Sequence, residues 1–376
     1  MPWQEITTME SRAEFCRLVS QDDTNMSEVC RRFGISRKTG YKWLRRWQAA
    51  GGDGLIDQSR RPHTSPARTD EALEARVVAL REAHPAWGGR KLRRRLQDLG
   101  ESAPAASTCT AILDRHGLLD PNEAAKHTAW QRFERPSPND LWQMDGKGPV
   151  SLPGGRCHPL LVIDDHSRFA VGLIACADLQ TRTVQAALIP LFVRYGLPWV
   201  LLTDNGPPWG GGGPLTALGA WLVRLGITPA HGRPYHPQTQ GKAERYGRSL
   251  GAEVLARTDL RDLASAQVAF DRWRNVYNQE RPHEALGLAT PASRYVLSAR
   301  SYPATLPPIV YEPTDTVRIV QADGRIDLQG RSWFISHAVH GAPVAIRPTL
   351  TAGCFDVYYC HVRVRQLDLG APDDPE

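Results

Sequence analysis

A chain of 376 residues with 41% hydrophobic and 23% charged residues is a globular protein too long for one ordinary domain. No apolar run approaches a membrane span, no basic start leads into an apolar leader core, and seven scattered cysteines without a C-x-x-C pair fit reduced thiols and argue against a disulfide framework or a zinc module, so a cytoplasmic protein with no membrane partner is expected. The net charge is +6, and its surplus lies early: residues 1–135 hold 23 Lys and Arg against 18 Asp and Glu, whereas the remainder holds 23 against 22.

Residues 11–48, within a first domain over 1–50, read as three short helices. Ser27 is a candidate N-cap for the second, with Val29, Cys30 and Phe33 facing inward, and Gly34 ends it at the turn GIS. Ser36 caps a third helix whose Tyr41, Leu44 and Trp47 form its apolar side, which leaves Arg37, Lys38, Lys42, Arg45 and Arg46 outward. Arg31 to Arg46 contains seven basic residues and no acid. Two helices joined by a short glycine-containing turn make the helix-turn-helix pattern, whose second helix enters the major groove of DNA. Arg37, Lys38, Lys42 and Arg45 are the candidate base or phosphate contacts. The alternative is a plain three-helix bundle with a solvated basic face.

A Gly- and Pro-marked linker over 51–66 carries Arg60 and Arg61, either as DNA contacts along a backbone or minor groove or as ordinary solvated charges. A second helical unit over 67–122 has Leu73, Val77 and Leu80 in helical period, then GGRKLRRRLQDLG, then a helix after Ser107. Its basic run includes Arg90, Lys91 and Arg94, candidate DNA contacts of a second helix-turn-helix module. Two linked modules grip a long DNA site better than one, because each raises the other's effective concentration.

The segment 123–300 opens with a polar, proline-punctuated hinge and then alternates strands and helices in an α/β pattern. An apolar run, Leu141 to Met144, stops at Asp145, and Leu160–Ile163 leads into the turn DDHSR and a third strand from Phe169. After a helix through Val184, Leu188 and Phe192, the run VLLT stops at Asp204-Asn205-Gly206, the strand edge where open α/β sheets place ligands. Glu244 lies in the first turns of a helix beyond Pro234, Pro237 and Gly241. On that helix Ala243, Tyr246, Leu250 and Val254 form one stripe, and Glu244, Gly247, Arg248 and Gly251 fall on the other side. A helical glycine costs about 1 kcal/mol relative to alanine, so two beside an acid and an arginine imply close approach by something bulky. Two strand-end aspartates and a helical glutamate make a sparse carboxylate cage. Such a cage suits magnesium, whose shell substrate phosphates complete, and two ions roughly 3.5 to 4 Å apart can serve both oxygens of a phosphoryl transfer.

Asp164 and Asp165 sit at a hairpin tip and read as turn-forming or salt-bridging rather than metal-binding. His231 and His236 read as strand contacts or loop packing. Lys242 and Arg248 would screen phosphate charge around Glu244, or are ordinary solvated charges. Leu263 to Tyr277 is a helix with Phe270, Trp273 and Tyr277 on its core side. Beyond a proline-rich link, 308–368 carries short strands spaced by turns and reads as a small β-barrel, either a nonspecific DNA binder through its arginines or a structural or dimerising module; 369–376 is an acidic tail.

At LWQMDGKG, IDDHSRF, LLTDNG, HGRPYHPQTQGKAER and YNQERPHEALG, over roughly residues 12–305, the sequence resembles the integrase-core transposases of bacterial insertion sequences, which share an RNase H-like fold with retroviral integrases. The resemblance implies a central RNase H-like core between N-terminal all-α helix-turn-helix modules and the C-terminal barrel. It also implies that Asp145, Asp204 and Glu244 are the Asp-Asp-Glu triad, holding two magnesium or manganese ions per active site. Thirty-nine residues separate the second and third acids, a few more than is usual in the family. The excess fits the loop PPWGGGGP, where added length costs little closure entropy. Gly247 is a further departure, since a larger polar residue is expected there. The implied activity is cleavage of double-stranded DNA at the terminal inverted repeats of an element and strand transfer into target DNA by a homo-oligomer assembled on DNA. A non-catalytic helix-turn-helix regulator and a nuclease that cuts without joining are the alternatives.

Overall fold

The computed structural model describes residues 7–22, 24–58, 68–119, 134–206, 209, 215–232 and 241–370, and divides into two compact units, Met1–Arg68 and Thr69–Glu376. In the first unit α1 (Thr8–Val19), α2 (Met26–Arg32) and α3 (Arg37–Ala50) close around Phe15, Cys16, Cys30, Trp43 and Leu55. Asn25 rather than Ser27 caps α2, its side chain accepting the Ser27 N–H at 2.9 Å, because Asn caps as well as Ser and stands where it reaches the first free N–H groups. Gly34 takes a left-handed φ of 64° after α2, and Ser36 caps α3 by accepting the Thr39 N–H at 3.2 Å. Tyr41, expected inside, is 46% exposed, and Trp43 takes the inward position. The cause is Gly40: a Cβ there would lie 2.6 Å from Cys30 Sγ, so α3 crosses α2 at this glycine. The crossing turns Gly40, Trp43 and Trp47 inward at i, i+3 and i+7.

In the second unit α4 (Glu71–Ala83), α5 (Gly89–Asp98) and α6 (Ala106–Arg115) pack around Val77, Trp87, Leu92, Leu96 and Ile112. Buried Glu74 fastens α4 to α6 by accepting two hydrogen bonds from Arg115, the shorter at 2.7 Å.

The core sheet contains β1 (Leu141–Gly146), β2 (Val150–Leu152), β3 (Gly155–Asp164), β4 (Ala170–Cys176), β5 (Val200–Thr203) and β6 (Thr228–His231). Its path is β2-β3-β1-β5-β6, with β4 on β3; β1, β5 and β6 are parallel and the other pairings antiparallel. The β2–β3 hairpin went unanticipated because VSL is too short to show periodicity. Trp142 and Met144 face α7 (Thr181–Tyr195) and α8 (Ala217–Arg224), in one core with Leu188, Phe192 and Leu222. On the opposite face α9 (Gly241–Leu250) and α10 (Leu263–Gln279) bring Tyr246, Leu250, Phe270 and Trp273 onto Leu161 and Leu173. The helices on both faces leave the carboxyl ends of β1 and β5 as the open rim.

The C-terminal barrel is not closed. β7 (Thr316–Ile319), β10 (Pro343–Pro348), β11 (Cys354–Tyr359) and β12 (Val362–Asp368) form an antiparallel sheet in the order β12-β11-β10-β7, while β8 (Arg325–Leu328) and β9 (Arg331–Phe334) pair only with each other. Ladder pairing stops at β7; past its end one backbone bond, from Gln321 N–H to Arg325 O at 2.7 Å, reaches β8, and side chains add to it: Arg318 Nε donates to Asp327 O at 3.3 Å and Gln321 Nε2 to Asp327 Oδ2 at 2.8 Å. Trp333 and Ile326 nevertheless share a core with Val344 and Leu367, and that core includes Ala220 and Val223 of α8.

Phe192 is fully buried between the sheet and α8, stacked on Trp142 at 5.9 Å between ring centroids. Phe192→Ala is expected to lower unfolding free energy by about 3–5 kcal/mol, read as a lower urea midpoint with native-like far-UV circular dichroism before the transition.

Candidate active site

Parallel pairing fixes two of the three acids. Trp142 stands opposite Leu201 and Gln143 opposite Leu202, the last paired positions; counted on by two residues, the same register sets Asp145, still in β1, level with Asp204, the first residue after β5. Asp204 is exposed at the rim and accepts the Gly206 N–H at 3.2 Å through Oδ1, a turn that ends the strand. The loop is tied down by Asn205, whose Nδ2 donates to Gly232 O at 2.8 Å, and by His231, whose Nδ1 lies 3.1 Å from both Asp204 O and Thr203 Oγ1. His231 therefore packs the loop. His236, Arg60, Arg61 and most of PPWGGGGP lie outside the described residues. Trp209 of that loop is buried beside Gly146, where an added Cβ would lie 2.4 Å from Leu179 Cδ1 and 3.4 Å from Trp209 Cζ2.

Glu244 is exposed on α9, next to buried Ala243 and one turn before exposed Arg248. Burial raises the Asp145 carboxyl above the usual carboxylate range, and the charge of Asp204 raises it further; a backbone hydrogen bond at Gly146 opposes the rise, and the charge of Glu244 adds to it. Both other acids thus act on Asp145. Among the described residues no three His, Cys, Asp or Glu side chains stand close enough together to hold a metal ion. The donors fit a hard divalent cation in kind, being carboxylate oxygens, and an ion would offset the charge that Asp204 and Glu244 set against Asp145.

Several residues expected at the DNA surface have inward partners. Lys242 is half-buried and ion-paired with Asp165, its Nζ also donating to Asp165 O at 3.1 Å. Gly247 is buried, and a Cβ there would lie 3.0 Å from Leu161 Cδ1, so this glycine admits the sheet rather than a ligand. Lys91 is half-buried; burial, with Arg281 next in effect, pushes its ammonium down to about 8. Arg95, one turn further on α5, pairs with Glu280 after α10, and Arg94 pairs with Asp98 at 2.7 Å. This face of α5 is turned to the core because acids there receive it. Arg90, Arg37, Lys38, Lys42 and Arg45 are exposed, and Lys42 also lies 4.6 Å over the Trp43 ring.

Asp164 and Asp165 are fully buried and satisfied within the protein. Asp164 accepts from Ser167 N at 2.7 Å and Asn139 N at 2.8 Å; Asp165 accepts from Arg135 N and Gln143 Nε2, both at 2.8 Å. Gln143 was overlooked in the sequence. Its signal is a lone amide inside an apolar strand, two residues before Asp145 and therefore on the same face.

Matches to known families span most of the chain: a helix-turn-helix domain over 11–63, a homeodomain-like domain over 39–113, an integrase core domain over 135–237 and again over 225–291, and the C-terminal domain of the IS481 family transposase over 315–374. The insertion element IS476 uncharacterized 39.2 kDa protein of Xanthomonas euvesicatoria is 27% identical over 242 residues, 64% of this chain and 69% of that protein. The insertion element IS407 uncharacterized 31.7 kDa protein of Burkholderia multivorans is 25% identical over 237 residues, 60% of this chain and 82% of that one. Among solved structures, the catalytic core domain of BIV integrase is 25% identical and superposes with a TM-score of 0.32, covering 41% of this chain and 92% of that one.

The raised Asp145 carboxyl makes a pH prediction. Folding favours its neutral form, so the stability it contributes is present below the ordinary carboxylate range and is lost as pH rises through the raised value. Asp145→Asn should therefore raise the thermal midpoint of metal-free protein at neutral pH, with the gain closing in strongly acidic buffer. Equal midpoints at neutral pH would mean that the ionised acid carries no such penalty.

Proposed function

We propose, from the premise that the chain belongs to the insertion-element transposases with an integrase core, that it binds the terminal inverted repeats of a mobile element and catalyses metal-dependent DNA cleavage and strand transfer into target DNA. The observation that carries this reading is the convergence of charge at one sheet rim: Asp145 and the residue level with it, Asp204, end adjacent parallel strands, and both Asp204 and Glu244 raise the Asp145 carboxyl. In this reading the three acids hold two magnesium or manganese ions. When bound, such ions supply the positive field that activates the attacking oxygen and stabilises the leaving one.

The protein's own part is placement. Asp145 and Asp204 are set by strand register, Glu244 by the packing of α9, and exposed Arg248 lies one turn from Glu244, where it meets backbone phosphate. Exposed Arg37, Lys38, Lys42 and Arg45 put positive charge along α3, the second helix of the first helix-turn-helix, which suits entry into a major groove. Joining two element ends requires at least two cores, so a homo-oligomer assembled on DNA follows from the reaction.

Labelled element ends incubated with supercoiled target and magnesium decide the matter. Wild-type protein yields joined product, whereas Asp145→Asn and Glu244→Gln bind ends and neither cut nor join. Joined product from either variant removes the triad; cutting without joining by wild type marks a nuclease, and binding alone marks a regulator.

The α3 contacts make a separate prediction. Arg37→Ala and Lys42→Ala are each expected to weaken end binding and reduce the slope of log affinity against log salt by about 1, if each loses one phosphate contact. An unchanged slope in titrations across salt concentrations would remove that residue from the backbone contacts.

A further inference from the structure

The polar side chain inside the apolar run of β1 is Gln143, 2% exposed. Its Nε2 donates to Asp165 Oδ1 at 2.8 Å, and its Oε1 accepts the N–H of Ala243 at 3.2 Å. Asp165 is fully buried, with its other carboxylate oxygen accepting the Arg135 N–H and its charge facing the Lys242 ammonium. Ala243 is among the first residues of α9, whose opening N–H groups have no partner within the helix. A side chain from another element satisfies this one. Glu244 is the next residue along, and Asp145 lies two residues beyond Gln143 on the same face of β1.

Apolar contact alone leaves that placement loose. Tyr246 and Leu250 hold α9 on Leu161 and Ile163, but such burial is non-directional and tolerates small slides of a helix over a sheet. The amide bridge is directional, and a buried carboxylate deprived of a partner costs several kcal/mol, so the bonds to Asp165 are not readily given up. We infer that Gln143, Asp165 and Lys242 form a clamp that sets Glu244 against Asp145, Gln143 and Asp165 being positioning residues for a divalent-cation site rather than ligands to it. The inference rests on the proposed transposase reading.

The test uses full-length protein and Mn2+. Gln143→Met keeps the length of the side chain and removes both hydrogen bonds. Mn2+ affinity, read from the electron paramagnetic resonance signal of the free ion, is expected to fall about tenfold, the range found for residues that orient metal ligands. The Mn2+ concentration for half-maximal end cleavage should rise in parallel, with cleavage restored at saturating Mn2+ and DNA-end affinity unchanged. Glu244→Gln is not restored at any concentration. Unmoved Mn2+ curves for a folded Gln143→Met protein overturn the clamp while leaving the triad intact; absence of Mn2+-dependent cleavage by wild type overturns the triad and the clamp with it. Should Gln143→Met fail to fold, hydrogen exchange of the wild-type Ala243 amide decides: protection equal to that of later α9 amides is expected, and exchange at an open-chain rate overturns the clamp.

Discussion

The alternation of side chains along β1 is the constraint on which the other features hang. Five consecutive residues, Leu141 to Asp145, do two incompatible jobs by facing opposite ways: Trp142 and Met144 fill the core under α7 and α8, while Gln143 and Asp145 face the side that α9 covers. A shift of one residue in register would turn the carboxylate into the apolar core under α7 and α8 and drive the tryptophan against α9. Pairing on both sides, antiparallel to β3 and parallel to β5, prevents that shift. The same register brings Asp145 level with Asp204.

Charge in this protein is divided between surface and seam. The basic run of α5 looks from composition like one DNA-facing stripe, yet Arg95 meets Glu280 and Lys91 sits in a half-buried setting shared with Arg281, Glu253 and Glu284. Val276 of α10 packs against the same helical module. A run of like charges on one helix thus serves two faces about 100° apart per residue, and only Arg90 and Arg93 remain fully outward. In α3, among the described residues, no comparable acids receive Arg37, Lys38 or Arg45.

What could be read from the sequence follows from how local each signal is. Strand ends at Asp145 and Asp204 were legible because an apolar run followed by an acid and glycine is a local pattern, and the α9 stripe of Ala243, Tyr246 and Leu250 was legible because helical period is local too. The inward turn of α3 was not, since it depends on a crossing at Gly40 against Cys30, ten residues earlier in the chain. Gly247 was misread for the same reason: its contact is Leu161, on a different element. Likewise Lys242 looked solvent-facing until Asp165 arrived from the β3 hairpin. Barrel closure depends on whether β7 continues its ladder onto β8, and short alternating strands do not encode that.

The placement of the third acid on a helix follows from electrostatics in the proposed reading. Three carboxylates held rigidly on neighbouring strand ends would repel at full strength whenever no cation was present; burial is the first cause of the raised Asp145 carboxyl, and the charges of Asp204 and Glu244 add to it. Putting Glu244 on α9, across the rim from the strand pair, lets that repulsion relax through a small displacement of the helix start. Too much freedom would waste binding energy on gathering the ligands. A buried amide bridge at Ala243 limits the displacement to the residue where it matters, and α9 gives way to a turn of π-helix over Gly251–Leu255. Distance between acids is thereby controlled at the start of α9 rather than along its length.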